Sequence, residues 1–153
     1  MPLRHPQVMT PPPALFLGGL LVGYSLDQAL PIPTLALPGQ DIASITLLVL
    51  GTLLVAGAVW QLRHADTTVL PHRAASQLVT GGLFAFSRNP IYLGFVCLHL
   101  AMALSLASLG MAVMLLPVIW VIDRHVIAAE EAFHAQQFGE QWQQYRGKVR
   151  RWL

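Results

Sequence analysis

The feature that most limits the fold of this chain is a long stretch without any charged residue, from Asn89 to Ile122. At a rise of about 1.5 Å per residue, this stretch is too long to cross a hydrocarbon core of about 30 Å only once. Its middle, Ser105–Gly110, reads Ser-Leu-Ala-Ser-Leu-Gly and is the expected turn of a helical hairpin. The stretch therefore predicts two short transmembrane helices.

Two further apolar runs, Ala14–Leu30 and Ile42–Leu62, precede the hairpin. Charged residues make up only 10% of the 153 residues, whereas soluble domains contain about 25%, so the chain cannot supply an ordinary wetted surface. The high apolar content excludes disorder, and the single cysteine excludes a disulfide scaffold. We expect one all-α integral membrane domain, residues 1–153, with four transmembrane helices at 14–30, 42–62, 90–105 and 109–123 and a cytoplasmic tail at 124–153.

All nine lysine and arginine residues lie near the start of the chain, between the second and third spans, or after the fourth span. The connections Pro31–Asp41 and Ser105–Gly110 contain none. Because positively charged loops stay in the cytoplasm, this distribution predicts that both termini and the middle loop are cytoplasmic. Any chemistry is then expected within the membrane or at its cytoplasmic face. The nine cations are Arg4, Arg63, Arg73, Arg88, Arg124, Arg146, Lys148, Arg150 and Arg151.

The end of the middle loop combines polar and flexible residues at the entrance to the third span. Asn89 and Pro90 suit the cap and first turn of a helix. Gly81-Gly82 permits either a close backbone approach to a ligand or a simple turn. With Arg88 and Tyr92 close by in the sequence, this segment predicts a polar pocket facing the cytoplasm, and the residues alone do not name its ligand.

The tail after the fourth span predicts an amphipathic helix over Asp123–Tyr145, with Gly139 as a break or cap. The carboxylate pair Glu130-Glu131 lies within two turns of the end of the span. Acidic residues gain nothing from anionic lipid headgroups, so the pair suggests a cationic partner. Solvated carboxylates on an interfacial helix are the alternative.

Other site classes lack support in this sequence. The six histidines form no recognised metal-ligand spacing, so no metal site is predicted. Neither a GxGxxG nor a GxxxxGK[ST] motif is present, which leaves no specific argument for a Rossmann or P-loop nucleotide site. The basic residues follow the membrane borders, and no nucleic-acid partner is predicted.

Several segments in fixed order resemble the isoprenylcysteine carboxyl methyltransferase family, small integral membrane enzymes related to the phospholipid N-methyltransferases. The resemblance covers about Leu62 to the end of the chain. It is carried by Thr67–Pro71, Leu78–Phe84, Ser87–Gly94, Glu130–Phe133, Phe138–Tyr145 and Val149–Trp152.

The resemblance implies S-adenosylmethionine bound at the cytoplasmic membrane border, in a pocket formed with the C-terminal amphipathic helix. A cationic cofactor would account for a carboxylate pair beside the bilayer, where charges are poorly screened. The cofactor-binding residues implied by the resemblance are Ser76, Gln77, Leu78, Val79, Phe84, Asn89, Pro90, Ile91, Tyr92, Glu130 and Glu131.

Two positions depart from the family pattern. Many members have histidine where this chain has Asn89, which cannot titrate near neutral pH. Members that methylate prenylcysteine have an arginine four residues before the first glutamate, and this chain has Val126 there. A substrate carboxylate therefore lacks its expected clamp. An arginine at this position would cost little stability if that face of the helix is wet, and it could then hold a substrate carboxylate.

The sequence thus predicts an S-adenosylmethionine-dependent methyltransferase of the membrane that acts on a lipophilic or small apolar acceptor. Membrane lipids are its other expected partners. The alternatives are a phospholipid amine or small-thiol methyltransferase and a non-catalytic membrane scaffold. So compact a chain suits a prokaryotic inner (plasma) membrane. Arg88 and Arg124 are the expected substrate-side cations.

Overall fold

The computed structural model describes residues 11–67 and 77–153. These residues form six α-helices, a 3-10 turn at Gly82–Ala85 and a π-helical turn at Ile122–Ile127, and they contain no β-strand. The all-α class is therefore confirmed for the described ranges. The helices are α1 (Pro12–Ala29), α2 (Gln40–His64), α3 (Pro90–Ser105), α4 (Leu109–Val121), α5 (Ala128–Phe138) and α6 (Glu140–Lys148).

Two helices in the described part are long and apolar enough to cross a membrane. They are α2, with 25 residues, and the continuous helix Leu109–Phe138, with 30 residues. Helix α3 is also apolar but has only 16 residues. Length and composition therefore support two membrane-crossing helices, and the full set of four spans is a proposal taken up below.

The first four helices pack as a bundle in which α2 lies against α3, α1 lies against α4, and α3 contacts α4. Glycines allow the close crossings. A β-carbon on Gly94 would lie 2.9 Å from the carbonyl oxygen of Gly51, and one on Gly110 would overlap the carbonyl oxygen of Gly23. The outer faces carry exposed large apolar side chains, which suits contact with lipid better than contact with water. Examples are Leu17, Leu21, Ile42, Leu53 and Trp60.

The two connections without cations meet at one end of the bundle. The amide of Leu35 donates to the carbonyl of Ala107 at 2.7 Å. Asp27 accepts hydrogen bonds from the hydroxyl of Ser108 and from the amide of Gly110, and so caps the start of α4. The predicted hairpin turn is confirmed, because α3 ends at Ser105 and α4 begins at Leu109.

At the other end of the bundle the chain does not leave the helix where the fourth span was expected to end. Helix α4 continues through the π-helical turn into α5 without a break. A π-helical turn adds one residue to a helical repeat and is frequent at functional sites. The predicted break at Gly139 is confirmed, since α5 ends at Phe138 and Gly139 has a φ of 51°.

Candidate functional site

The C-terminal tail returns to the start of α3 and is held there by its own carbonyl groups. The amide of Arg88 donates to the carbonyl of Arg150 at 3.0 Å. The Arg88 guanidinium donates to the carbonyl of Val149 at 2.6 Å, and the side-chain amide of Asn89 donates to the carbonyl of Arg151 at 2.9 Å. The tail thereby packs against the start of α3 beside α5.

Asn89 and Pro90 occupy the predicted positions at the start of α3, but the capping interaction differs from the expected one. Asn89 is the cap residue and Pro90 the first helical residue. The Asn89 side chain makes no capping bond because it donates to the tail. The prediction is therefore right for the helix start and wrong for the role of the amide side chain.

Glu131 lies at the centre of an ion-pair network between the start of α3, α5 and the tail. Its carboxylate accepts from Arg88 Nη2 at 2.7 Å, from Arg151 Nε at 3.1 Å and from Arg151 Nη2 at 2.5 Å. Burial alone raises the pKa of Glu131, but the bonds from Arg151 and Arg88 outweigh it, so this pKa lies below its ordinary value. Asp123 extends the network, because it accepts from Arg151 Nη1 at 2.9 Å and from the indole of Trp152 at 3.0 Å.

Glu130, the neighbouring residue, has a different environment. Its carboxylate accepts a hydrogen bond of 2.7 Å from the Tyr92 hydroxyl. No lysine or arginine among residues 11–67 and 77–153 forms an ion pair with it. Burial raises the pKa of Glu130 to about 7; the bond from Tyr92 opposes this rise, and the charge of Glu131 adds to it. The site thus contains a half-buried carboxyl group that a cationic ligand would stabilise as the anion.

The two predicted substrate-side cations lie in different surroundings. Arg88 is almost fully buried and donates to Glu131 and to the tail. Its guanidinium also lies 5.8 Å from the centre of the Trp142 ring. Arg124 is exposed on the π-helical turn.

Val126 does not present a wet face. It is 3% exposed and belongs to the core that also contains Tyr92, Leu115 and Ile122. The condition under which an arginine at this position would cost little stability, a wet face, is therefore not met. The π-helical turn keeps Ile122, Val126 and Ile127 all buried against the bundle.

The loop before α3 forms one wall of a separate cleft. Gly82 has a φ of 58°, and the Gln61 side chain accepts from the amide of Leu83 at 3.1 Å, so this glycine serves a turn. The Tyr145 hydroxyl donates to the carbonyl of Phe84 at 2.7 Å and fixes the loop on α6. The cleft has a volume of about 520 Å³. Its lining residues are Leu78, Thr80, Ala85, Gln141, Gln144, Tyr145, Lys148 and Val149.

The remaining described residues of the predicted cofactor site lie near the cleft or near the start of α3. Gln77 is exposed, Leu78 packs against the cluster that contains Trp142, and Val79 is half-buried. Ile91 packs against the core that contains Tyr92, whereas Ser76 lies outside the described residues. Sequence reasoning gave no role to Arg151, Asp123 or Trp152, although Arg151 and Trp152 belong to the closing motif of the resemblance. The sequence signal for this contact was an acidic residue, Asp123, at the end of the fourth predicted span together with an arginine in the tail.

Comparison with known proteins identifies the family. A model of the phospholipid methyltransferase family matches residues 40–141, more than half of the chain. The chain is 35% identical over 72 residues to the protein-S-isoprenylcysteine O-methyltransferase of Schizosaccharomyces pombe, a match that spans 47% of this chain and 30% of that enzyme. It is also 39% identical over 67 residues to an uncharacterized protein of Haemophilus influenzae, a match that spans 41% of this chain and all of that protein. The chain therefore belongs to the phospholipid methyltransferase family.

Proposed function

We propose that this protein is a membrane methyltransferase that uses S-adenosylmethionine to methylate a lipophilic or small apolar acceptor. The observation that carries the proposal is the contrast within the carboxylate pair. Glu131 is bonded to two arginines, whereas the half-buried Glu130 accepts from the Tyr92 hydroxyl and pairs with no lysine or arginine among residues 11–67 and 77–153. A half-buried carboxyl group that no lysine or arginine of the described part of the chain neutralises suits a ligand that brings its own positive charge.

The residues present fit a sulfonium cofactor. Coulomb attraction between Glu130 and a positive charge is strong where water is scarce. The Tyr92 hydroxyl fixes the orientation of the carboxyl group, and the phenol ring of Tyr92 itself packs in the apolar core with Val126. Leu78 lines the cleft described above together with Thr80 and Ala85 of the same loop, which supports a further contact between this loop and the cofactor.

When bound, S-adenosylmethionine supplies a methyl group that the acceptor takes by direct displacement from sulfur. The chain then has to bind and orient the cofactor and the acceptor, and it has to exclude water from the site. Glu130 balances the positive charge, Tyr92 holds Glu130, and the core around Val126 keeps water away from that side. Arg88 and Glu131 hold the start of α3 against α5, which fixes the distance between Tyr92 and Glu130.

We further place the site at the cytoplasmic face of a four-span protein with both termini in the cytoplasm. The cation-free connections meet at one end of the bundle, through Leu35 and Ala107. The ion-pair network and the basic tail lie beside the opposite ends of α3 and α4. This separation agrees with the positive-inside rule and with a prokaryotic plasma membrane. A tag inserted near Pro38 is expected outside and a tag at either terminus inside.

Two acceptor classes follow from the relatives. The family match favours an amine on a phospholipid headgroup, whereas the similarity to the Schizosaccharomyces pombe enzyme favours a prenylcysteine carboxylate. The buried Val126 supplies no cation for such a carboxylate, which favours the phospholipid amine or a small thiol over prenylcysteine. Transfer of labelled methyl to phosphatidylethanolamine, a small thiol and a farnesylcysteine analogue distinguishes these acceptors, and no transfer to any of them favours a non-catalytic scaffold.

Cofactor binding tests the proposal directly. Purified protein in detergent should bind S-adenosylmethionine with a dissociation constant in the micromolar range or below. Glu130→Gln keeps the size of the side chain and removes its charge, so affinity should fall by about 1.5–3 kcal/mol, or roughly tenfold to a hundredfold. Glu140→Gln alters an exposed glutamate of α6 and is the matched control. Equal affinity in all three proteins would contradict the proposed role of Glu130.

A further inference from the structure

The tail carries two adjacent arginines with different surroundings. The Arg150 side chain is exposed, whereas Arg151 forms a two-bond fork on Glu131 and a third bond to Asp123. Such a fork needs the planar guanidinium, which has several donors in fixed directions. No sequence pattern explains why only one of the two arginines is used in this way.

The charges around Arg151 form a balanced set. Glu131 and Asp123 are negative, and Arg88 and Arg151 are positive, so the four groups together are neutral. Glu130 lies beside this set on the same helix, and its pKa rises further when negative charge gathers next to it. The loss of Arg151 would leave two acidic groups and only one arginine in the network next to Glu130.

We infer that Arg151 is a positioning residue of the cofactor site, which acts through Glu131 and Asp123 to keep the neighbouring Glu130 in the ionised form that binds a cation. The inference rests on the proposed function. Arg151 itself bonds to Glu131 and Asp123 and makes no contact with Glu130. The tail is thus part of the electrostatics of the site as well as of its packing.

Six charged or titratable groups enter the electrostatics of Glu130 in this account: Tyr92 and Glu131 act on it directly, and the other four are connected to it through the Glu131 network. They come from the loop before α3, α3 itself, the π-helical turn, α5 and the tail. They are Arg88, Tyr92, Asp123, Glu131, His134 and Arg151.

The test is the pH dependence of S-adenosylmethionine binding, measured by calorimetry between pH 5.5 and 9. The unmodified protein should bind more tightly as pH rises through about 7. In Arg151→Gln the midpoint should move upward by about one pH unit, which weakens binding about fivefold at pH 7 and hardly at all at pH 9. Arg151→Lys restores the charge, though not the fork. Its midpoint should lie close to that of the unmodified protein. Arg150→Gln is the matched control and should leave the midpoint unchanged.

Asp123→Asn provides a test of opposite sign that does not depend on Arg151→Gln being folded. Removal of this negative charge leaves Arg151 in excess, so the midpoint should move downward. Loss of packing alone cannot move the midpoint in opposite directions in two variants. Midpoints that stay equal to that of the unmodified protein in folded Arg151→Gln or Asp123→Asn would overturn the inference. Absence of binding by the unmodified protein would overturn the proposed function itself.

Discussion

Glu130 and Glu131 are adjacent in the chain and yet lie in two contrasting regions of the molecule. Glu131 faces the ion-pair network and accepts from two arginines, whereas Glu130 faces the core side of α3 and accepts from Tyr92. The pKa of Glu131 lies below its ordinary value, and burial raises that of Glu130 to about 7. Identical side chains one residue apart thus have different surroundings, and we propose that Glu131 holds the fold together while Glu130 binds the cofactor.

The largest effect is expected from removing the Glu131 carboxylate from the ion-pair network. Glu131→Ala leaves the buried Arg88 without its carboxylate, and breaking a buried ion pair costs about 3–5 kcal/mol. Unfolding of the purified protein in mixed micelles should show this loss. Glu130→Ala is the comparison variant and should cost much less, since no arginine loses a partner. Equal losses in the two variants would contradict the division of roles.

Val126→Arg tests whether Glu130 can be given a cation of its own. Val126 is buried in the core with Tyr92, so the new guanidinium would displace packed apolar groups and lose water. We expect a loss of about 2–4 kcal/mol in the free energy of unfolding. Val126→Leu is a control for size. A stable Val126→Arg protein with enhanced methylation of a farnesylcysteine analogue would show that this position faces the acceptor after all.

Several local features of the fold could be predicted from the sequence. Asn89-Pro90, Gly139 and the turn at Ser105–Gly110 act through local backbone preferences, so their sequence neighbours suffice to predict them. The approach of Tyr92 to Glu130 joins positions far apart in the chain, and only the family resemblance brought the two residues together.

The contacts that sequence reasoning missed are all long-range or depend on helical phase. The bonds of Arg151 to Glu131 and Asp123 require the tail to fold back over the helix, which no local pattern encodes. The π-helical turn buries Val126 in the core of the bundle, so the wet face on which a harmless arginine at this position depended is absent there. Burial, rather than spacing, decides its role.

A smaller effect is expected from Tyr92→Phe, which removes one hydrogen bond from the Glu130 carboxylate and keeps the ring. The bond stabilises the ionised form, so its loss should raise the pKa of Glu130 further and weaken cofactor binding at pH 7 by about 1 kcal/mol, or roughly fivefold. Tyr24→Phe changes an exposed tyrosine and is the control. Unchanged calorimetric affinity in Tyr92→Phe would show that the hydroxyl does not set the state of Glu130.

Proton release on cofactor binding tests the central claim most directly. Below its folded-state pKa of about 7, free Glu130 holds a proton that a bound sulfonium should expel, whereas above that pH no proton is left to release. Calorimetry in buffers of different ionisation enthalpy should therefore show nearly one proton released per site at pH 6 and almost none at pH 9, with the pH 6 release absent in Glu130→Gln. Tight binding of S-adenosylmethionine with the same proton release at pH 6 in both proteins would contradict the account.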